Sequence, residues 1–172
     1  MMGLVRPLLD RWRFCALVAS AGMLAVAHAF QTFGRLAPCT LCLRQREVYW
    51  AALAVALVAM VAVRLPGGPR LRQASCWLLA LIFLAGAGLA AYHAGVEWKF
   101  WPGPTTCSGA GANGVNAAAL QDLLNGAKIR PPACDKAAWV FAGLSMAGWN
   151  ALTSLGLAGL SVAAALRERA KR

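Results

Sequence analysis

Four predominantly apolar stretches of the chain carry no Asp, Glu, Lys or Arg: residues 14–34, 48–63, 73–96 and 137–166. A segment that enters a bilayer must satisfy its backbone internally, so each such run is pressed towards a helix. A helix needs about 17–25 apolar residues to cross a hydrocarbon core roughly 30 Å thick. Three of the runs reach that length. The second, at 16 residues, falls short and must recruit the preceding turn from about Leu41, which brings Arg44, Arg46 and Glu47 to interfacial depth. The chain is 60% hydrophobic and 13% charged, where a soluble domain is about a quarter charged. The expected fold is an all-α membrane protein, one domain over residues 1–172, built as a four-transmembrane-helix bundle. Its spans are predicted near 14–33, 41–63, 74–94 and 139–166, with external loops at 34–40 and 95–138. The first run has a basic start, and Ala27-His28-Ala29 resembles a signal cleavage site. Its apolar character continues through Phe30 and Phe33, so it reads as a retained span.

The formal net charge of +11 would suit a phosphate binder, yet the charges gather at the ends of apolar runs, and no nucleic-acid partner is expected. Four spans put both termini on one side. That side takes ten of the 17 Lys and Arg residues, from Arg6 to Arg172, in three short segments; the other takes seven, from Arg35 to Lys136, in longer loops. Short basic loops mark the cytoplasmic face, so the termini are expected inside. Trp12, Trp50, Trp77, Trp98, Trp101 and Trp139 fall near predicted span ends, as an aromatic belt requires; Trp149 falls within a span.

This orientation sorts the six cysteines. Cys39 and Cys42 lie in the first external loop, and Cys107 and Cys134 in the second. Cys15 and Cys76 lie at cytoplasmic span ends, where a free cysteine packs as a small hydrophobe. Four thiols facing an oxidising compartment admit three chemistries. Structural disulfides suit Cys39 and Cys42 poorly, because the loop closed between them is very small. Zinc ribbons use two close pairs, whereas Cys107 and Cys134 are far apart. A thiol–disulfide relay fits best, since C-x-x-C at a helix start lowers a thiol's pKa. Pro38 ends the preceding segment, and Thr40 is a candidate cap for the second span. Arg46, four residues beyond Cys42, shares its helical face and supplies a cation to a thiolate or to the carbonyl of a lipid-soluble acceptor; the plain alternative is a snorkelling anchor, the role given to Arg44. His93 has two readings, a hydrogen bond to a quinone oxygen or one to a neighbouring backbone group. In the second loop, Pro102 and Pro104 stiffen the approach to Cys107, "SGAGANG" is flexible by composition, and Asn116 caps a predicted short surface helix over 117–125.

The motifs "FQTFGRLAPCTLCLRQR" and "YHAGVEWKFWPGPTTC", with Cys134 beyond, resemble the DsbB family of disulfide bond formation proteins along nearly the whole chain. The resemblance implies a protein-thiol:quinone oxidoreductase, multi-pass in the bacterial inner membrane with periplasmic cysteines. That the DsbA–DsbB–quinone route keeps the periplasm oxidising is a property of the family, not of these residues. On this resemblance Cys107 accepts attack from a DsbA-like thiol oxidase, Cys134 is its disulfide partner and passes electrons to Cys39, and Cys42 faces ubiquinone or menaquinone beside Arg46. Two redox-active disulfides are implied, Cys39–Cys42 and Cys107–Cys134, with no resident metal. Tyr92 matches the family's tyrosine; His93 falls one position from its histidine, about 100° around a helix. The competing class is a non-catalytic membrane subunit whose external cysteines bind metal or form structural disulfides.

Overall fold

A computed structural model describes residues 2–62, 68–104, 124 and 133–171, with side chains described from Arg6 onward. The elements are α1 (Met2–Asp10), α2 (Trp12–Thr32), α3 (Thr40–Ala62), α4 (Gly68–Glu97), the short antiparallel pair β1 (Val140–Phe141) and β2 (Leu144–Ser145), and α5 (Met146–Ala170). The four helices α2 to α5 are long and apolar enough to cross a membrane, so the chain is an all-α membrane protein with four spans.

Lipid tails are as apolar as leucine, so helices in a bilayer associate through close packing and hydrogen bonds rather than through exclusion of water. The seams follow that rule. Ala16 and Ser20 of α2, Ala52 and Ala56 of α3, Ala80, Ala87 and Ala90 of α4, and Ala158, Ser161 and Ala164 of α5 are all buried. They let backbones approach while Leu79 and Phe83 fill the wider gaps. The most extensive interface joins α4 to α5, and α3 lies against both α2 and α4. Val18, Leu57, Val58, Leu81, Leu84 and Leu155 face outward, where lipid covers them.

Several boundaries differ from the sequence expectation. α5 begins at Met146 rather than near 139, because Ala142 and Gly143 adopt positive φ (50° and 78°) and turn β1 into β2. Ser145 then caps α5, accepting from the Gly148 amide at 3.1 Å. Trp149 therefore sits in the first turn of α5 and not deep in a span; its indole donates to the Phe141 carbonyl at 3.0 Å. α4 also runs further at both ends than 74–94. Trp12 leaves the interfacial belt: it is 2% exposed and donates to Ser161 Oγ at 2.9 Å, the partner that lets an indole be buried. The expected surface helix over 117–125 lies outside the described residues except for Leu124, which is helical and exposed.

The end that bears the termini is tied by ion pairs. Arg167 of α5 and Lys171 just after it hold Asp10 of α1 at 2.8 and 2.5 Å, and Arg72 of α4 holds the buried Glu168 of α5 at 3.0 Å. At the opposite end the Trp101 ring stacks on Tyr92 and donates to the Tyr92 carbonyl at 2.9 Å, passing directly over Gly95, where an added Cβ would overlap the indole.

Gly95→Ala is therefore expected to expel Trp101 and cost about 1–3 kcal/mol, visible as a lower unfolding midpoint together with a red-shifted tryptophan emission. Arg72→Ala leaves Glu168 buried with Lys171 at 3.5 Å as a weaker partner; a loss of about 1–3 kcal/mol is expected, measured by thermal unfolding in detergent. Arg167 and then Lys171 hold the Asp10 carboxyl well below the usual carboxylate range. A depressed carboxyl contributes stability above its unfolded pKa of about 3.9 and loses it only as pH falls through the folded value. Stability is thus expected to stay flat from neutral pH down to about 4 with respect to this group; an Asp10-dependent loss above that, revealed by comparison with Asp10→Asn, would contradict the pairing.

Candidate functional site: a thiol pair at a helix start

After α2 the chain reverses at once. The Leu36 amide bonds back to the Phe30 carbonyl at 3.2 Å and Arg35 takes φ 53°, which delivers Pro38 and Cys39 to the start of α3. A helix start leaves backbone amides without partners. Here the Cys39 carbonyl accepts the first helical bond, from Leu43 N at 3.1 Å, and its sulfur satisfies one of the unpartnered amides, accepting from Cys42 N at 3.2 Å. The cap is the first cysteine itself; Thr40, the candidate cap read from sequence, is the first residue of the helix.

Cys39 and Cys42 are both free thiols, with Sγ atoms 2.8 Å apart and the Cys39 S–H donating. That hydrogen bond, and then burial, push the Cys39 thiol up. The proton therefore stays on Cys39, and the half-buried Cys42 sulfur receives it as acceptor. The two cysteines are chemically unequal in the way an exchange centre needs, because the thiolate is the nucleophile.

Cys39 is also the outer end of a buried chain of polar side chains. His93 of α4 lies with Nε2 3.7 Å from Cys39 Sγ, and its Nδ1 accepts from Gln45 Nε2 at 2.7 Å. Gln45 Oε1 accepts from Asn150 of α5, Asn150 Oδ1 accepts from the Tyr49 hydroxyl at 2.5 Å, and Tyr49 meets Ser154 Oγ at 2.9 Å. His93 Nε2 also stands 3.8 Å from Glu97 Oε1, one turn on. The Glu97 side chain is only 6% exposed, and its Oε2 has no hydrogen-bond partner among the described residues.

Cys134 arrives at the same place. It is buried in one cluster with Cys39, Leu41 and Val96, with Cys42 packed against it; its backbone bonds the His93 ring, and it is disulfide-bonded. The next residue, Asp135, pairs with Lys99 at 2.5 Å just beyond α4, and Lys99 pulls the Asp135 carboxyl below its ordinary range. Arg46, on α3, reaches across to α2, donating to Gln31 Oε1 at 2.5 Å and to the Ala27 carbonyl at 3.0 Å. Arg44 pairs with Glu47 at the surface at 2.9 Å.

Of the residues singled out in the sequence, Cys39, Cys42, Cys134 and His93 thus converge, while Arg46 lies on α3 towards α2; Cys107 lies outside the described residues. His93 engages side chains, Gln45 and Cys39, as well as the backbone of Cys134. Sequence reading missed Gln45, Asn150, Tyr49 and Glu97. Polar residues inside otherwise apolar runs were the available signal for Gln45 and Asn150, and the i, i+4 spacing from His93 was the signal for Glu97.

These features have counterparts among known proteins. A family model described as "Disulfide bond formation protein DsbB" matches residues 10–164. Proteins named disulfide bond formation protein B are similar along most of their length. The one from Methylococcus capsulatus is 33% identical over 146 residues, 83% of this chain and 85% of its own. The one from Marinobacter nauticus is 31% identical over 150 residues, 83% and 84%. The one from Dechloromonas aromatica is 30% identical over 148 residues, 82% of each. With four spans, a thiol pair capping one of them and a family match from the end of α1 almost to the end of α5, the chain belongs to the DsbB family of disulfide bond formation proteins.

Proposed function

We propose that the protein is a protein-thiol:quinone oxidoreductase of the bacterial inner membrane, which oxidises a soluble DsbA-like thiol oxidase and hands two electrons to ubiquinone or menaquinone. The observation that carries this reading is the packing of disulfide-bonded Cys134 in one buried cluster with Cys39, whose sulfur lies 2.8 Å from that of Cys42. Three sulfurs of the proposed route are gathered at the start of one span. The Lys and Arg distribution supports cytoplasmic termini and a periplasmic dithiol.

The route follows exchange chemistry, in which a thiolate attacks one sulfur of a disulfide and the other sulfur leaves. A partner thiolate attacks Cys107 of a Cys107–Cys134 disulfide, and Cys134 leaves as thiolate. Cys134 attacks Cys39 of a Cys39–Cys42 disulfide, and Cys42 leaves. The partner's second thiol then releases Cys107, which attacks the Cys39–Cys134 bond, restores its own disulfide with Cys134 and frees Cys39. The partner has lost two electrons and two protons; Cys39 and Cys42 have gained them. The distribution described above, Cys134 in a disulfide with Cys39 and Cys42 as thiols, is the one expected at this stage.

A quinone supplies the two-electron sink that regenerates the Cys39–Cys42 disulfide. The residues present suit one. Cys42 is half-buried, and α3 exposes Leu43 and Trp50 on either side of Arg46, the depth at which a lipid-soluble head group travels. The guanidinium, held by Gln31 and Ala27, is a fixed cation for a carbonyl oxygen, and Cys42 is the sulfur nearest that depth. Cys39 keeps the second proton at the buried end until both sulfurs are needed.

Purified protein given reduced DsbA-like partner and quinone is expected to consume quinone absorbance catalytically, and Cys42→Ser to abolish the consumption while the fold persists. Absence of turnover with both quinone types would remove this reading and leave the family assignment in place. Arg46→Gln is expected to lower kcat/KM for quinone by about 10²-fold with little effect on exchange between partner and cysteines; an unchanged quinone dependence would take Arg46 out of the mechanism.

A further inference from the structure

We propose that the reduced thiol pair is a tetrahedral zinc-class metal site, formed by Cys39, Cys42 and His93 with Glu97 as fourth ligand, which locks the protein in its dithiol state. The ligand atoms of the two cysteines and the histidine all lie within 4.8 Å of one another. With bonds of about 2.0–2.3 Å, neighbouring ligand atoms around tetrahedral zinc stand about 3.3–3.8 Å apart. Cys39 Sγ to His93 Nε2 is 3.7 Å and His93 Nε2 to Glu97 Oε1 is 3.8 Å, so two of the six edges of the tetrahedron stand at or near their working length; Glu97 adjoins the three-residue group through His93 and must swing towards the sulfurs to complete it. A third, between the sulfurs at 2.8 Å, opens through rotation of the half-buried Cys42 side chain.

Two further observations point to a cation. Glu97 Oε2 is buried without a hydrogen-bond partner among the described residues, although the Ser145 hydroxyl acts on the carboxyl; one neutral hydroxyl answers a buried carboxylate less well than a charge or a metal does. His93 also has the outer support that ligating histidines use, a partner on the other ring nitrogen. Ligation needs the lone pair on Nε2, hence the proton on Nδ1 donating to Gln45. The chain beyond accommodates that reversal. With both amides turned, Gln45 presents Oε1 to His93 and Nε2 to Asn150 Oδ1. Asn150 then donates to the Tyr49 oxygen, and Tyr49 donates to Ser154. Amide orientations are set by such networks, and hydroxyls at the far end act as donor or acceptor, so the side chains of the line keep partners, while the Cys134 backbone gives up its bond to the His93 ring when the metal enters.

Loading is an acid–base event without electron transfer. Each thiol loses its proton, two metal–sulfur bonds form, and the metal sheds water as imidazole and carboxylate enter. The Cys39–Cys42 disulfide offers no thiolates, so the site exists in one redox state alone. A metal on both sulfurs removes the nucleophile and the electron donor together, which makes zinc a reversible inhibitor relieved by chelation. The site rests on the thiol pair and not on the identity of the electron acceptor.

Cobalt(II) is the probe, because thiolate ligation gives charge-transfer bands and tetrahedral geometry gives intense d–d bands. The full chain carrying Cys107→Ser and Cys134→Ser, purified in detergent, leaves Cys39 and Cys42 as the external thiols. The reduced protein is expected to take up one equivalent of cobalt with both sets of bands, displaced by zinc; after oxidation to the disulfide it should take up none. His93→Gln is expected to weaken binding at least tenfold and shift the d–d bands, and Glu97→Gln to shift them with a smaller loss. Missing bands in the reduced protein, or His93→Gln spectra and affinity equal to those of the parent, would overturn the proposal. Should His93→Gln fail to fold, modification of His93 by diethyl pyrocarbonate replaces it: protection by zinc is expected in the reduced parent, and equal modification with and without zinc overturns the site. No quinone or partner protein enters these assays, so a failed oxidoreductase assay and a failed metal assay are separate results.

Discussion

A polar side chain inside a bilayer must find a partner within the protein, because neither lipid nor water will supply one. The chain of hydrogen bonds from Cys39 through His93, Gln45, Asn150 and Tyr49 to Ser154 answers that constraint, and the rest of the molecule is arranged around it. It joins α3, α4 and α5 in a single line of contacts. The small residues of the seams let the three backbones come close enough for it to close. Rotation of any one of these helices would strand an amide or an imidazole in a low-dielectric interior. The line therefore fixes rotation where packing of alanine on alanine, smooth and featureless, specifies little. At its outer end stands Cys39 Sγ, so the element that joins the three helices is also the element that holds the thiol pair.

The second contribution to the site is electrostatic inequality. A C-x-x-C pair at a helix start is nominally symmetric in composition, yet the backbone makes its members different. Cys39 caps the helix with its own sulfur and keeps the proton; Cys42, inside the first turn, accepts. The difference between the half-buried acceptor and the buried proton holder needs no residue outside this turn. Arg46 adds a cation farther along α3, and its two hydrogen bonds to the last turns of α2 show that it is not merely dangling towards the head groups.

The sequence carried the spans and the cysteines plainly, because charge is excluded from hydrocarbon so strongly that gaps in the charge pattern outline helices almost by themselves. Helix ends were harder. The start of α5 depends on a turn at Ala142 and Gly143, and those residues are apolar enough to be absorbed into a span on composition. Trp12 looked like an interfacial anchor because its burial depends on Ser161, a residue 149 positions away whose relevance no local pattern announces. Gln45, Asn150 and Glu97 were missed for the same reason. Each is tolerable alone as a polar exception, and what gives them meaning is their mutual geometry across three helices.

The length of α4 has a consequence for how the protein responds to its surroundings. Thirty residues of helix extend about 45 Å, well beyond a hydrocarbon core of roughly 30 Å, whereas α3, with 23 residues, extends about 35 Å. The excess is taken up by tilt or by projection of the helix ends past the acyl chains. Its last turns carry His93 and Glu97, and α3 carries the two sulfurs, so the two halves of the site sit on helices of unequal hydrophobic match. A thinner or thicker membrane acts on them differently, and bilayer thickness becomes a physical control on how deeply the thiol pair is seated.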